Sequence, residues 1–168
     1  VVSGITGTTS PSYTAPTAVT YPTSDEDLGN VTITQGATTI LNNTSAISTL
    51  TGTIGVATGT VGSYSNFTAF GPYNLGAGNT YNFSLTSITT GTSYSNSMAI
   101  YIDYNRNGVF TDAGEAVYVG GATVSGPHAE TGSFTVPSSA SSGITRMRVI
   151  CNEGLVTSPT MTVLYGEF

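Results

Sequence analysis

Apolar and polar residues alternate in short stretches along this chain, and Gly, Pro and Asn separate one stretch from the next. Tyr81, Phe83 and Leu85, for example, alternate with polar residues. A period of two residues puts the apolar side chains on one face, which is typical of a half-buried β-strand. No stretch repeats with the longer period of an amphipathic helix. The residues expected in the core by this rule are Val31, Ile33, Tyr81, Phe83, Leu85, Met98, Ile100, Ile102, Phe134, Val136, Met147, Val149, Cys151, Met161, Val163 and Tyr165.

About eight to ten such stretches predict an antiparallel, all-β fold. Two sheets packed face to face bury every apolar row, so we expect a β-sandwich of jelly-roll or immunoglobulin-like type rather than a closed barrel. The 168 residues are enough for one domain with its own core. We place this domain at residues 21–168.

Residues 1–20 differ from the rest because they are rich in Thr, Ser, Gly and Pro, with little apolar alternation beyond Val1, Val2 and Ile5. This composition predicts an extended N-terminal arm. Two interpretations stay open: a tether between domains, or a strand that docks on a sheet edge of its own or a neighbouring copy.

Charged residues are sparse, and this narrows the classes of partner. Only 7% of residues are charged, lysine is absent, and the formal net charge is -6. Binding to nucleic acid needs clustered Lys and Arg, so that partner is excluded. No apolar run is long enough to predict a membrane span. The single cysteine, Cys151, cannot form an intrachain disulfide and is expected to be a small buried residue on a strand.

Residues 100–115 (IYIDYNRNGVFTDAGE) join an apolar strand to a loop rich in acidic and amide side chains. Asp103, Asn105 and Asn107 stand at every second position before Gly108, which is the spacing of oxygen ligands in a calcium loop. Val109 would offer its backbone carbonyl. Either Asp112 or Glu115 would close the cage, so the six predicted ligands are Asp103, Asn105, Asn107, Val109, Asp112 and Glu115. The alternative is a metal-free loop in which the same residues form Asx turns.

The sequence offers little for catalysis, and we predict that the protein is not an enzyme. His128 is the only histidine and is expected in a loop, with nothing nearby in the sequence to build a catalytic triad. The His and Cys clusters of a zinc site are absent. An aromatic group is a candidate for stacking on sugars, and it consists of Tyr64, Phe67, Phe70 and Tyr73. Arg146 and Arg148 point to one face of a strand, for a surface ion pair or an intersubunit contact.

The order of motifs from residue 21 onward resembles the GEVED domain, a β-rich module of secreted and surface-attached bacterial proteins. The motifs are residues 62–68 (GSYSNFT), 74–81 (NLGAGNTY), 100–115, 133–137 (SFTVP), 145–149 (TRMRV) and 165–167 (YGE). The resemblance implies a β-rich fold and an extracellular or cell-surface location. Two departures stand out: Asn107 replaces the usual Asp, which predicts weaker cation binding, and the chain given stops at Phe168, before the end of the name-giving strand.

These observations favour a non-catalytic structural or assembly module, stabilised by calcium, whose partners are copies of itself or neighbouring domains. The most specific hypothesis of this kind is strand exchange into a filament, in which the arm of one subunit completes the sheet left short in the next. The residues expected to serve this contact are Val1, Val2, Ile5 and Phe168. The alternative is a calcium-stabilised module that binds carbohydrate for adhesion.

Overall fold

In a computed structural model, the chain is described at residues 9–14, 27–44, 67–88, 92–121, 125–163 and 166–167. The strands are β1 (Asp27–Gln35), β2 (Thr38–Thr44), β3 (Thr80–Ile88), β4 (Asn96–Ile102), β5 (Ala116–Val119), β6 (Ala129–Thr135), β7 (Met147–Glu153) and β8 (Gly166–Glu167). A single 3₁₀ turn, Thr68–Phe70, precedes β3. Within these ranges there is no α-helix, and therefore no helix that is long and apolar enough to cross a membrane.

The strands form two four-stranded sheets, with the orders β2-β1-β3-β6 and β5-β4-β7-β8. Every pairing within them is antiparallel. The two sheets pack face to face around one apolar cluster, to which both contribute buried side chains. The predicted all-β, antiparallel β-sandwich is therefore confirmed.

Alternation places the core side chains as the sequence predicts. In β3, Tyr81, Phe83 and Leu85 are buried while the residues between them face outward or lie half-buried. The rings of Phe83 and Tyr118 lie 4.7 Å apart and connect the two sheets at one side of the core. Gly132 on β6 leaves room for this pair, because a Cβ there would lie 2.8 Å from the tip of the Phe83 ring.

Strand β4 departs from simple alternation, because all seven of its residues are buried. Its inward row packs in the sandwich core, while Ala99 and Tyr101 lie on the outer face of the sheet in a second apolar cluster. Phe110, Val156 and Val163 cover that face, with Tyr13 and Met161 packed at its margin. Met161 and Val163, predicted with Tyr165 to form the closing strand, thus cover a sheet from outside the strands. Tyr165 lies outside the described residues, and the closing strand observed is β8.

The register of β4 and β7 fixes the place where the acidic loop begins. Ile102 pairs with Met147, and the N–H of Asp103 donates to the carbonyl of Arg146 at 3.3 Å. The loop of residues 103–115 therefore leaves the sheet directly beside the first residues of β7. Arg146, which precedes β7, and Arg148, which lies in β7, stand next to this loop.

Candidate functional site

Asp103 organises the loop between β4 and β5. Its side chain is fully buried, and its carboxylate accepts the backbone N–H groups of Arg106 (2.6 Å), Asn107 (3.2 Å) and Gly108 (2.9 Å). Gly108 has a φ of 90°, a region that favours glycine, so the tight turn predicted for this position is present. Hydrogen bonds of N–H groups to an ionised carboxylate are strong, and three of them hold the turn around one side chain.

The next predicted ligands form a second layer of hydrogen bonds. The side-chain oxygens of Asn105 and Asn107 accept the N–H groups of Asn107 and Val109, each at 3.0 Å. Their amide nitrogens donate to Oδ2 of Asp112 at 2.8 and 2.6 Å. The structure therefore brings Asp103, Asn105, Asn107 and Asp112 into one network, which has the form of consecutive Asx turns.

Glu115 closes the network from the far end of the loop. It is 2% exposed, and its Oε1 accepts the N–H groups of Tyr104 (3.0 Å) and Asn105 (3.4 Å). Its Oε2 is buried and has no hydrogen-bond partner among the described residues. Burial raises the pKa of Glu115, the charges of Asp103 and Asp112 raise it further, and the N–H of Asn105 opposes them. An unpartnered oxygen on a buried carboxyl group is costly unless something pairs with it.

The donor set fits a hard cation in kind, because every predicted side-chain ligand offers oxygen. In the arrangement observed, however, oxygens of Asp103, Asn105, Asn107 and Glu115 already accept N–H groups. Among the residues described, no three His, Cys, Asp or Glu side chains are grouped as a metal cluster. Glu115 Oε2 and the hydroxyl of Tyr104 are the buried loop oxygens that have no hydrogen-bond partner among the described residues.

A segment of the N-terminal arm lies against this loop. Residues 9–14 form no strand, and their anchor is Tyr13. Its hydroxyl donates to Oδ2 of Asp103 at 2.7 Å and lies 3.0 Å from the hydroxyl of Thr145, while its ring packs 5.2 Å from that of Phe110. Gly108 leaves room for the arm, because a Cβ there would lie 2.6 Å from the carbonyl oxygen of Ser12.

The three basic residues of the chain all contact this segment of the arm. Arg106 donates to the carbonyl of Thr9 (3.1 Å) and Arg148 to that of Thr14 (2.7 Å). Arg146 donates to the hydroxyl of Ser10 (3.4 Å) and lies over the Tyr13 ring, 5.9 Å from its centroid. We call this surface the arm groove, and it consists of Asp103, Arg106, Gly108, Phe110, Arg146 and Arg148.

Sequence reasoning placed Arg146 and Arg148 on one face of a strand, and both do face the arm. It did not single out Tyr13 or Arg106. A signal was present, since Tyr13 is the one aromatic residue in an arm of small polar residues. Its partner is Asp103, 90 positions away, and a separation of that length leaves no local pattern.

The aromatic group predicted for sugar binding is only partly assembled. Phe67 and Phe70 lie 6.3 Å apart, and Phe70 is 58% exposed. Tyr73 instead packs against the core, and its hydroxyl donates to Asn43 at 3.4 Å. Tyr64 lies outside the described residues. So do the four residues predicted for assembly, which are Val1, Val2, Ile5 and Phe168.

His128 stands between a serine and a carboxylate at the start of β6. Its Nδ1 lies 3.2 Å from Oγ of Ser87, and its Nε2 lies 3.1 Å from Oε1 of Glu130. The order Ser-His-Glu is that of a hydrolase triad. Ser87 is 0% exposed, however, so its hydroxyl is closed to any substrate in this arrangement. The chain of hydrogen bonds joins the end of β3 to β6 as a structural contact.

Comparison with known proteins adds one match. Residues 97–168 match the family model of the GEVED domain, a range that runs from β4 to the end of the chain and contains both the acidic loop and β7. No curated protein sequence and no solved structure matches the chain. The match confirms the resemblance for the motifs within residues 97–168, the acidic loop among them, whereas the motifs at 62–68 and 74–81 lie outside the matched range.

Proposed function

We propose that this protein is a non-catalytic structural module of a secreted or cell-surface protein, and that its N-terminal arm serves assembly. The observation that carries the proposal is the contact of residues 9–14 with the arm groove. The chain has only three arginines and no lysine, and all three arginines contact residues 9–14. The resemblance to the GEVED domain supports the extracellular or surface location.

The kind of contact supports assembly over catalysis. Two of the arginines bind main-chain carbonyls, which any extended segment offers, and Tyr13 supplies one specific side chain. Recognition of an extended segment through its main chain is a common mode of joining protein modules. Outside the groove, the surface has few charges to repel another copy, because 7% of all residues are charged.

The second part of the proposal is that the loop of residues 103–115 binds calcium. Support comes from the buried Oε2 of Glu115, which no N–H group satisfies among the described residues, and from the carboxylates of Asp103 and Asp112 on the same loop. Asp103, Asn105, Asn107, Val109, Asp112 and Glu115 would hold the ion. The ion would supply positive charge to a loop with three carboxylates and would add about 2 to 4 kcal/mol to the stability of the fold at saturating concentration.

Negative-stain electron microscopy of the protein in calcium buffer tests the assembly proposal. We expect regular fibres, which disappear when residues 1–20 are deleted while the circular dichroism spectrum remains that of a β-protein. Isolated globules at all protein concentrations, or fibres that survive the deletion, would contradict it.

A second candidate function is carbohydrate binding, and the exposed ring of Phe70 beside Phe67 favours it. Exposed aromatic rings are typical platforms for sugars. This function predicts a monomer with affinity for a glycan on an array, and loss of that affinity in Phe70→Ala. An array without a hit, or an affinity that Phe70→Ala leaves unchanged, would remove it.

A further inference from the structure

The arm groove and the sandwich domain are joined by a long connection. Twelve residues, 15–26, lie between Thr14 in the groove and Asp27 at the start of β1. A fully extended chain of that length spans about 40 Å, which exceeds the diameter of a small domain. The covalent connection therefore does not decide which copy of the protein provides the arm that fills a given groove.

The contacts in the groove can be made equally well by the arm of the same molecule or by the arm of another copy. The bonds described between the groove and the arm end on atoms of residues 9–14, and this segment (TSPSYT) has no charged residue. The same six residues from another molecule present the same carbonyls, the same Ser10 hydroxyl and the same Tyr13 ring. Exchange of an identical element between copies keeps all these contacts and requires no new surface.

We propose that the arm groove of one copy binds residues 9–14 of a second copy. The inference rests on the proposed assembly function and names its donor and its acceptor. Donor and acceptor are different surfaces of one chain, so the contact is heterologous and each copy can give its arm to one neighbour and receive an arm from another. Such contacts produce a linear polymer unless the rotation between copies closes a ring.

Docking of a copy's own arm competes with this exchange. A segment on a short linker has an effective concentration on the order of 1 mM at its own groove, so exchange dominates where copies are that concentrated. An experiment must therefore remove the competitor. A donor variant with an intact arm and a disabled groove, and an acceptor variant with an intact groove and a disabled arm, can dock only between molecules.

The acceptor variant is Tyr13→Ala, which removes the anchor of the arm. The donor variant is Arg146→Ala with Arg148→Ala, which removes the contacts to Ser10 and Thr14. Arg148→Ala alone is the reserve, should the pair fail to fold. The acceptor variant, labelled with a fluorophore at its N-terminus, is mixed with an excess of unlabelled donor variant and followed by analytical ultracentrifugation. Both variants are first checked for an unchanged circular dichroism spectrum.

We expect the labelled acceptor to sediment as a dimer with the donor, and as a monomer when mixed with more acceptor or with the triple variant that carries all three changes. Phe70→Ala in the donor should leave the dimer unchanged, because Phe70 lies outside the groove. A labelled acceptor that stays monomeric with excess donor at about 1 mM would overturn the inference. A dimer without fibres of the natural chain would instead contradict only the filament, since the exchange itself would have occurred.

Discussion

The hydroxyl of Tyr13 offers the sharpest test of the docked arm. It donates to the buried carboxylate of Asp103 at 2.7 Å, and Tyr13→Phe removes this bond while leaving the ring. A hydrogen bond to a charged group contributes about 1.5 to 3 kcal/mol. Asp103 keeps three N–H donors after the change, and Tyr13 is only partly buried, so we expect a loss at the lower end, about 1 to 2 kcal/mol.

Tyr13→Ala should cost more because the ring is lost as well. The ring contact with Phe110 is worth about 0.5 to 1.5 kcal/mol, and the position of Arg146 over the ring adds about 0.5 to 1 kcal/mol. Together with the hydroxyl this gives about 2 to 4.5 kcal/mol. The loss of stability cannot exceed the free energy of arm docking, because once the arm detaches no further contact can be lost.

Thermal unfolding followed by circular dichroism measures both changes. For a chain of this size, 1 kcal/mol corresponds to about 2 to 4 °C in Tm, so Tyr13→Phe should lower Tm by about 2 to 8 °C. Phe70→Ala is the control, since an exposed aromatic ring should contribute within about 0.5 kcal/mol. A Tm of Tyr13→Ala no lower than that of Phe70→Ala would show that the Tyr13 contacts do not stabilise the fold.

Three further predictions concern the loop, the arm at high pH and the core. Without calcium, Glu115→Gln should leave Tm equal or higher, because it removes a buried charge beside Asp103 and Asp112. The same variant should show a smaller rise in Tm when calcium is added. An equal rise in both proteins would contradict the calcium loop. Burial, with the nearby Asp103, raises the pKa of Tyr13 to about 12. The fold thus favours the neutral hydroxyl, so its contribution to docking is complete below the ordinary pKa near 10 and is lost as the pH rises through about 12. The ultraviolet difference between the natural chain and Tyr13→Phe should show this titration, and ionisation near the ordinary pKa would contradict it. Gly132→Ala should lower stability by about 1 to 3 kcal/mol by displacing Phe83, whereas Gly121→Ala, which meets open space, should not; equal urea midpoints would show that the core gives way freely.

The sandwich could be predicted because its signal is local. Tyr81, Phe83 and Leu85 alternate with polar residues, and the observed strand buries them as that period requires. The double burial of β4 could not be read in the same way. Ala99 and Tyr101 lie on the row opposite the sandwich core, and they are buried because Phe110 and, much further along the chain, Val156 and Val163 cover them.

The loop residues could be predicted as a group, but the pairing within the group could not. Spacing identified Asp103, Asn105, Asn107 and Asp112, and these residues do meet in one network. Spacing did not reveal that the Asn side chains would turn their amide nitrogens to Asp112. The docking of Tyr13 was equally hidden, since the energy of that contact comes from a carboxylate and a ring on the loop of residues 103–115 and from a guanidinium just before β7.

The position of Cys151 has a practical consequence. It is the only cysteine, it lies on the inward face of β7, and it is 0% exposed. A thiol reagent can reach its sulfur only when the fold opens around β7, because modification requires an accessible thiolate. The rate of labelling in native buffer therefore measures how often the sandwich opens at this strand, and no other thiol in the chain contributes to the signal. Labelling of Cys151 can therefore report how long the folded state lasts without any engineered probe.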